Sequence, residues 1–291
     1  GAGGQLGLAL AEEFGPSCEL LLAYHRAPHA GEAMVDLADP AQTRAMLERL
    51  RPEWILIAGA FCNVDMCETQ AELCRRVNAE GPRVAAEWAR PRGARVVYYS
   101  TDHVFADGSA AYVETDPVGP HNEYARSKAQ GEETVRTALP GGHLILRTSG
   151  LYGPDPTHKN FVLRLVDQVR AGESVRVPSD QWGSPTYTED LARVTRFLLK
   201  KDCVGTFHAV GPDFLPRSEF ALRICACFGL DAERLIPTPT AQLRQPAPRP
   251  LRVRLNTGKL TALNPPPLRP VAAGLEALEQ WARRDACVGR G

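Results

Sequence analysis

The strongest constraint in this 291-residue sequence is a cadence in which short apolar runs, β-branched or aromatic, alternate with stretches of helical spacing. Trp54-Ile-Leu-Ile-Ala58 and Ala94-Arg-Val-Val-Tyr-Tyr-Ser100 read as strands buried on both faces, and His143-Leu-Ile-Leu-Arg147 repeats the pattern. Between them, Ala41 to Leu50 and Glu68 to Ala89 carry apolar residues three and four apart, the second with an expected kink or restart at Gly81-Pro82. Strand, helix, strand in this order predicts a parallel sheet with right-handed crossovers, an α/β doubly wound fold.

After about residue 150 the texture changes. Nine of the 24 prolines fall between Pro237 and Pro270, which predicts irregular structure on a scaffold rather than regular sheet or long helix. Two helices still stand out there, Phe161 to Ala171 and Ser218 to Phe228. The expected division is a dinucleotide-binding domain over 1–148, with a return segment near 187–210. A smaller, loop-rich lobe over 149–186 and 211–291 would cover the carboxyl edge of the sheet, where open α/β folds bind ligands.

Composition excludes several alternatives. With 34 Lys plus Arg against 34 Asp plus Glu, the formal charge is zero, which argues against nucleic-acid binding or membrane attachment driven by bulk charge. No apolar run reaches the roughly 18 residues of a membrane span, and no signal-like segment opens the sequence, so a cytoplasmic protein is expected. Eight cysteines without CxxC spacing suggest free, mostly buried thiols. Cys62, Cys67 and Cys74 lie on or near one helix and read as small core residues more readily than as a redox or metal cluster. Seven scattered histidines give no ligand spacing, so no metal is expected.

Three groups of residues carry chemistry. The sequence opens Gly1-Ala-Gly-Gly4-Gln-Leu-Gly7 ahead of a helical run, Leu8 to Phe14; glycines there permit a tight turn, close approach of a pyrophosphate and close helix packing. The strand that usually precedes such a turn is missing before Gly1, and a longer parent chain is the expectation. Where an NAD site usually places an acid, the sequence reads Ala23-Tyr-His25-Arg26; Arg26, with His25, suits the 2′-phosphate of NADPH, and a solvated surface Arg is an equal alternative. Asp36 could reach the adenine, while Asp39 ahead of Pro40 is also a helix-start signal. Most informative is Ser100-Thr101-Asp102 at a strand end, followed by Tyr124-Ala-Arg-Ser-Lys128. Tyr and Lys four apart share a helical face, and an ammonium beside a phenol is expected to lower the Tyr pKa. Lys128 could also hold the nicotinamide ribose, and Thr101 could hydrogen-bond a substrate carbonyl.

These segments together resemble the extended short-chain dehydrogenase/reductases, most closely the dTDP-4-dehydrorhamnose reductase and sugar-nucleotide-binding branch. The resemblance runs from Gly4-Gln-Leu-Gly7 through Asp36 to Pro40, Ala58-Gly-Ala60, Val77-Asn78-Ala79, Ser100 to Phe105 and Pro120 to Lys128. It continues through Leu146 to Ser149, Leu151-Tyr-Gly153, Asp180 to Gly183, Pro185-Thr186, Gly205 to His208 and Arg249-Pro250. It implies a Rossmann-type fold and NADPH (or NADH) as cofactor. Thr101, Tyr124 and Lys128 match the catalytic triad. Gly4, Gln5 and Leu6 match pyrophosphate contacts, Asp36 and Leu37 the adenine surroundings, and Ala60, Phe61 and Cys62 the nicotinamide wall; Gly1, in the same glycine turn, is a further candidate for the cofactor. Thr101, Asp102, Asn160, Gln181 and Arg249 match the sugar-nucleotide side.

The resemblance implies reduction of the C4 keto group of a 4-keto-6-deoxy sugar nucleotide, with a homodimer as the possible assembly. Two alternatives stay open: an NADP-binding regulator resembling the β subunit of methionine adenosyltransferase, and a sugar-nucleotide epimerase. The branch usually has Trp after Arg-Thr-Ser and Tyr after Ser-Thr-Asp; here Gly150 and His103 stand in those places. Loss of the aromatic at 150 removes a pocket wall and leaves the sugar open. Arg249 and Arg252 are candidates for a diphosphate or for structural ion pairs, and Trp182 for stacking on a base or filling the lobe interface.

Overall fold

The computed structural model describes residues 1–25, 33–108 and 110–288, the side chains of the last three excepted. The fold is α/β with a parallel sheet. Four strands, Trp54–Ile57, Arg95–Thr101, His143–Thr148 and Gly205–His208, lie side by side in that spatial order, all parallel. Their alternation explains the continuous apolar runs. Val96, Tyr98 and Ile145 face one helical layer, while Val97, Tyr99, Leu144 and Leu146 face the other. The first layer contains Pro40–Leu50, Gly81–Ala89 and Glu123–Ala138; the second is Gln5–Phe14 packed against Thr188–Lys200. A short parallel pair, Ala23–Tyr24 with Ala33–Met34, stands apart from the four-stranded sheet.

Past residue 150 a separate apolar cluster is built by Phe161–Arg170, Arg217–Phe228 and the helix Val271–Val288 around Tyr152, with the parallel pair Val175–Pro178 and Leu235–Thr238 beside it. The long C-terminal helix is not among the elements expected above, although Val271, Leu275 and Leu278 stand at helical spacing. Its hydrophobic residues Leu275 and Leu278 are buried there, while the proline run before it hides its start.

One expected element is corrected. The helix expected over 68–89 breaks at Gln70, between Val64–Thr69 and Ala71–Arg75, and widens to a π-turn over Arg76–Glu80; Gly81 and Pro82 simply continue it with helical torsions. Pro82 lies at the seam between the π-turn and Gly81–Ala89, so the continuous helix lacks one main-chain donor there. The opening helix starts at Gln5, three residues earlier than expected, because Gly4 is its N-cap. Asp39 does cap its helix, accepting from the Ala41 and Gln42 amides.

Candidate active site

One cleft of about 2280 Å³ runs from the glycine turn, past the carboxyl ends of the strands, to Arg217 and Arg249. Part of that volume is a slot between Ala23–Tyr24 and Trp54–Ile57, which do not pair. At the glycine end the helix Gln5–Phe14 begins without a side-chain cap, leaving its first amides to the cleft. A methyl group on Gly7 would strike the Gly1 carbonyl and lie 2.7 Å from the Ala2 Cα, so the turn closes only with glycine there. Backbone amides and a helix N-terminus around such a turn fit a dinucleotide pyrophosphate. Gly1, Gly4, Gln5, Leu6, Asp36, Leu37, Ala60, Phe61 and Cys62 all line this cleft. Arg26 lies outside the described residues; His25 stands 3.8 Å from the Asp36 carboxylate.

The Arg95–Thr101 strand and the Glu123–Ala138 helix deliver the three candidate catalytic side chains to the middle of the cleft. Asn122 caps that helix, accepting from the Ala125 amide at 2.8 Å and donating to the Pro248 carbonyl at 2.8 Å. Thr101 donates to Asp102 at 3.1 Å and Ser149 donates to the other Asp102 oxygen at 2.6 Å. Lys128 is buried, donates to the Tyr99 carbonyl at 2.6 Å and sits 3.9 Å from the Tyr98 ring centroid.

The expected lowering of the Tyr124 pKa by Lys128 is not what this geometry gives. Burial dominates and pushes the phenol up, with the Thr101 hydroxyl opposing it. Burial likewise pulls the Lys128 ammonium down to about 7, against the pull of Glu132 one turn along the helix. Both groups lose hydration before either can help the other. Tyr124 is therefore a protonated phenol at neutral pH, ready to donate.

On the far side, Asn160 caps Phe161–Arg170 and also donates to the Gly153 carbonyl at 3.1 Å, so its amide is largely occupied by the fold. The Gln181 amide is held by Thr240 and Gln245. Arg249 pairs with Asp65 at 2.8 Å and Arg252 lies over the Trp182 ring at 4.4 Å, which gives both arginines structural partners and covers one face of the indole. His103 packs edge-on against Tyr124, with ring centroids 6.0 Å apart. Gly150 lines the cleft with φ 52, so the wall there is main chain.

Two residues were given no role from the sequence: Arg217, which lines the cleft, and Asn78, buried behind its wall, although Val77-Asn78-Ala79 carried part of the resemblance. Arg217 has no ion-pair partner among the described residues, stacks at 4.0 Å on the Phe161 ring, and is brought down to about 10 by burial and by Arg164 and Arg249. An unpaired guanidinium in a cleft suits an anion, and its only sequence signal was a helix start after Pro216. Asn78, in the π-turn, holds Phe61 by both its main-chain amide (2.9 Å) and its carbonyl (3.0 Å), and donates to Ser127 at 3.0 Å. A polar residue flanked by Val77 and Ala79 was its signal. The cysteines divide: Cys67, Cys74 and Cys225 are buried, Cys18 and Cys62 exposed.

A family model described as the RmlD substrate binding domain matches residues 1–281. The chain belongs to that family. It is 35% identical over 253 residues to a probable dTDP-4,6-dihydroxy-2-methyloxan-3-one 4-ketoreductase of Streptomyces antibioticus, covering 86% of this chain and 83% of that one. To a dTDP-4-dehydrorhamnose reductase of Streptomyces griseus it is 33% identical, covering 86% and 81%. Among solved structures, a Bacillus anthracis dTDP-4-dehydrorhamnose reductase in complex with NADP superposes with a TM-score of 0.84 at 29% identity, covering 96% of each chain. The fold is thus of the Rossmann type met in sugar-nucleotide reductases and epimerases.

Proposed function

We propose that this chain is an NADPH-dependent reductase of the C4 keto group of a 4-keto-6-deoxy sugar nucleotide. The observation that carries the reading is the cluster of Thr101, Tyr124 and Lys128 at the centre of a cleft whose one end is a glycine turn and whose other end is cationic. Relatives named as reductases of this class, and the neighbour solved with NADP, support it. Residues 1–148 with 187–210 would hold the cofactor, and 149–186 with 211–291 the sugar nucleotide.

NADPH, when bound, supplies the hydride. The glycine turn and the first amides of Gln5–Phe14 bind its pyrophosphate, Lys128 holds the ribose beside it, and Ala60, Phe61 and Cys62 wall the nicotinamide side. Thr101 orients the keto oxygen toward Tyr124. The phenol gives its proton to the oxygen at C4 as charge develops there, a contribution of about 10²–10⁴-fold in rate. Asp102, fixed by Ser149 and Thr101, is placed to accept from a sugar hydroxyl. Arg217 meets the diphosphate. The protein's contribution is alignment and a proton, since the redox chemistry resides in the cofactor. The same reading puts the chain in the cytoplasm, where NADPH and nucleotide sugars coexist.

The test is direct: purified protein, NADPH and dTDP-4-keto-6-deoxy sugars are mixed and nicotinamide absorbance is followed. Substrate-dependent loss of absorbance is expected; NADPH binding without oxidation across a panel of such sugars would overturn the proposal.

A further inference from the structure

Beneath the nicotinamide wall lie two thiols. Cys67 belongs to Val64–Thr69 and Cys74 to Ala71–Arg75. In one continuous helix, residues seven apart are separated by about 10.5 Å along the axis. The break at Gln70 (φ −127, ψ 43) redirects the second helix, and the two Sγ atoms stand 2.7 Å apart, both side chains fully buried. The two sulfurs are thus in direct contact, as closure to a disulfide requires.

Their surroundings differ. The Cys74 sulfur is 3.2 Å from the Ser127 hydroxyl and 3.4 Å from the Asn78 amide nitrogen. The contact with Cys67, helped by the polar groups of Ser127 and Asn78, brings Cys74 down to about 7, while the contact with Cys74 and burial push Cys67 up. The Cys67 sulfur donates to the carbonyl of Phe61, a residue that lines the cleft, at 3.7 Å.

We propose that Cys67 and Cys74 form a reversible modification site, a dithiol that closes to a disulfide under hydrogen peroxide and thereby weakens the cofactor wall. The Cys74 thiolate attacks one peroxide oxygen and becomes the sulfenic acid, with the other oxygen leaving as water. The Cys67 sulfur then attacks the Cys74 sulfur, its proton departing with the hydroxyl as a second water. Two thiols and one peroxide give one disulfide and two waters; a small dithiol reverses it. Closure draws the Cys74 sulfur from Ser127 and Asn78, and Asn78 is the residue that clamps Phe61. The chemistry of the pair is independent of the proposed function; the effect on the wall rests on it.

The experiment treats the full chain with hydrogen peroxide, maps its peptides before and after dithiothreitol, and titrates NADPH. A Cys67–Cys74 cross-linked peptide is expected, together with an NADPH dissociation constant raised roughly threefold or more, the scale of one lost hydrogen bond; both revert on reduction. In Cys67→Ala the cross-link is absent and Cys74 proceeds to sulfinic acid, which dithiothreitol does not restore. Absence of the cross-linked peptide from the treated chain overturns the site. An equal, reducible loss of affinity in treated Cys67→Ala overturns the link to the wall, since exposed Cys62 would then account for it.

Discussion

Tyr124 and Lys128 are close in sequence and differ in what burial does to them. Tyr124→Phe keeps the ring against His103 and removes only the donor. Turnover is expected to fall by about 10²–10⁴-fold, with NADPH affinity nearly unchanged; steady-state kinetics and a cofactor titration separate the two. Lys128 carries the pH dependence. Its folded pKa is depressed to about 7 from 10.5, so the ammonium is lost as pH rises through about 7. NADPH affinity is therefore expected to weaken across that point, and Lys128→Met to flatten the profile, as titrations from pH 6 to 9 would read. The same depression means the unfolded chain binds a proton that the native state lacks between about 7 and 10.5. This lysine's contribution to stability consequently rises with pH over that window. The sequence placed both residues in the cleft through their helical spacing, but it could not weigh hydration loss against charge, because that balance depends on Tyr98 and Tyr99 closing over the amine.

The helix that carries both residues is anchored by Asn122. Asn122→Ala removes the cap bond to Ala125 and the bond to Pro248, which ties this helix to the segment beside Arg249. A loss of about 1–2 kcal/mol is expected, read by denaturant unfolding, with a rise in sugar-nucleotide KM as that segment loosens. Regular elements were legible where one period dominates: the strands at 95–101 and 143–148 are buried on both faces, 54–57 is partly covered, and all three read directly as apolar runs. The stretch from 64 to 89 was not, because its break at Gln70 and its π-turn follow from tertiary packing of Cys67, Cys74 and Asn78 rather than from any local breaker. Arg217 was missed for a related reason. An arginine at a helix start looks like surface until Phe161 is found beneath it.

Across the molecule, charge is arranged unevenly although its sum is zero. Arg147 and Glu132 form a bidentate pair at 2.6 and 2.9 Å in the interior, each 2% exposed, between the sheet and the catalytic helix. Glu132→Ala leaves Arg147 buried without its carboxylate and is expected to cost about 3–5 kcal/mol, visible as a fall in Tm. At the cleft's far end, Arg217→Ala is expected to raise the sugar-nucleotide KM by roughly one to two orders of magnitude, with kcat less affected and a shallower dependence on salt. An unchanged KM would show that the anion is met elsewhere.

Gly150 has a further consequence for anyone reshaping this enzyme. Its left-handed torsion means that the opening beside Ser149 is encoded by the main chain, not by the lack of one side chain. A bulky residue restored there would carry a conformational penalty on the order of 1 kcal/mol before it touched a ligand. Tighter selectivity would be engineered more economically from the neighbouring Pro185 segment, and a lineage drifting toward a narrower substrate would set that backbone cost against whatever a bulkier residue at 150 gained.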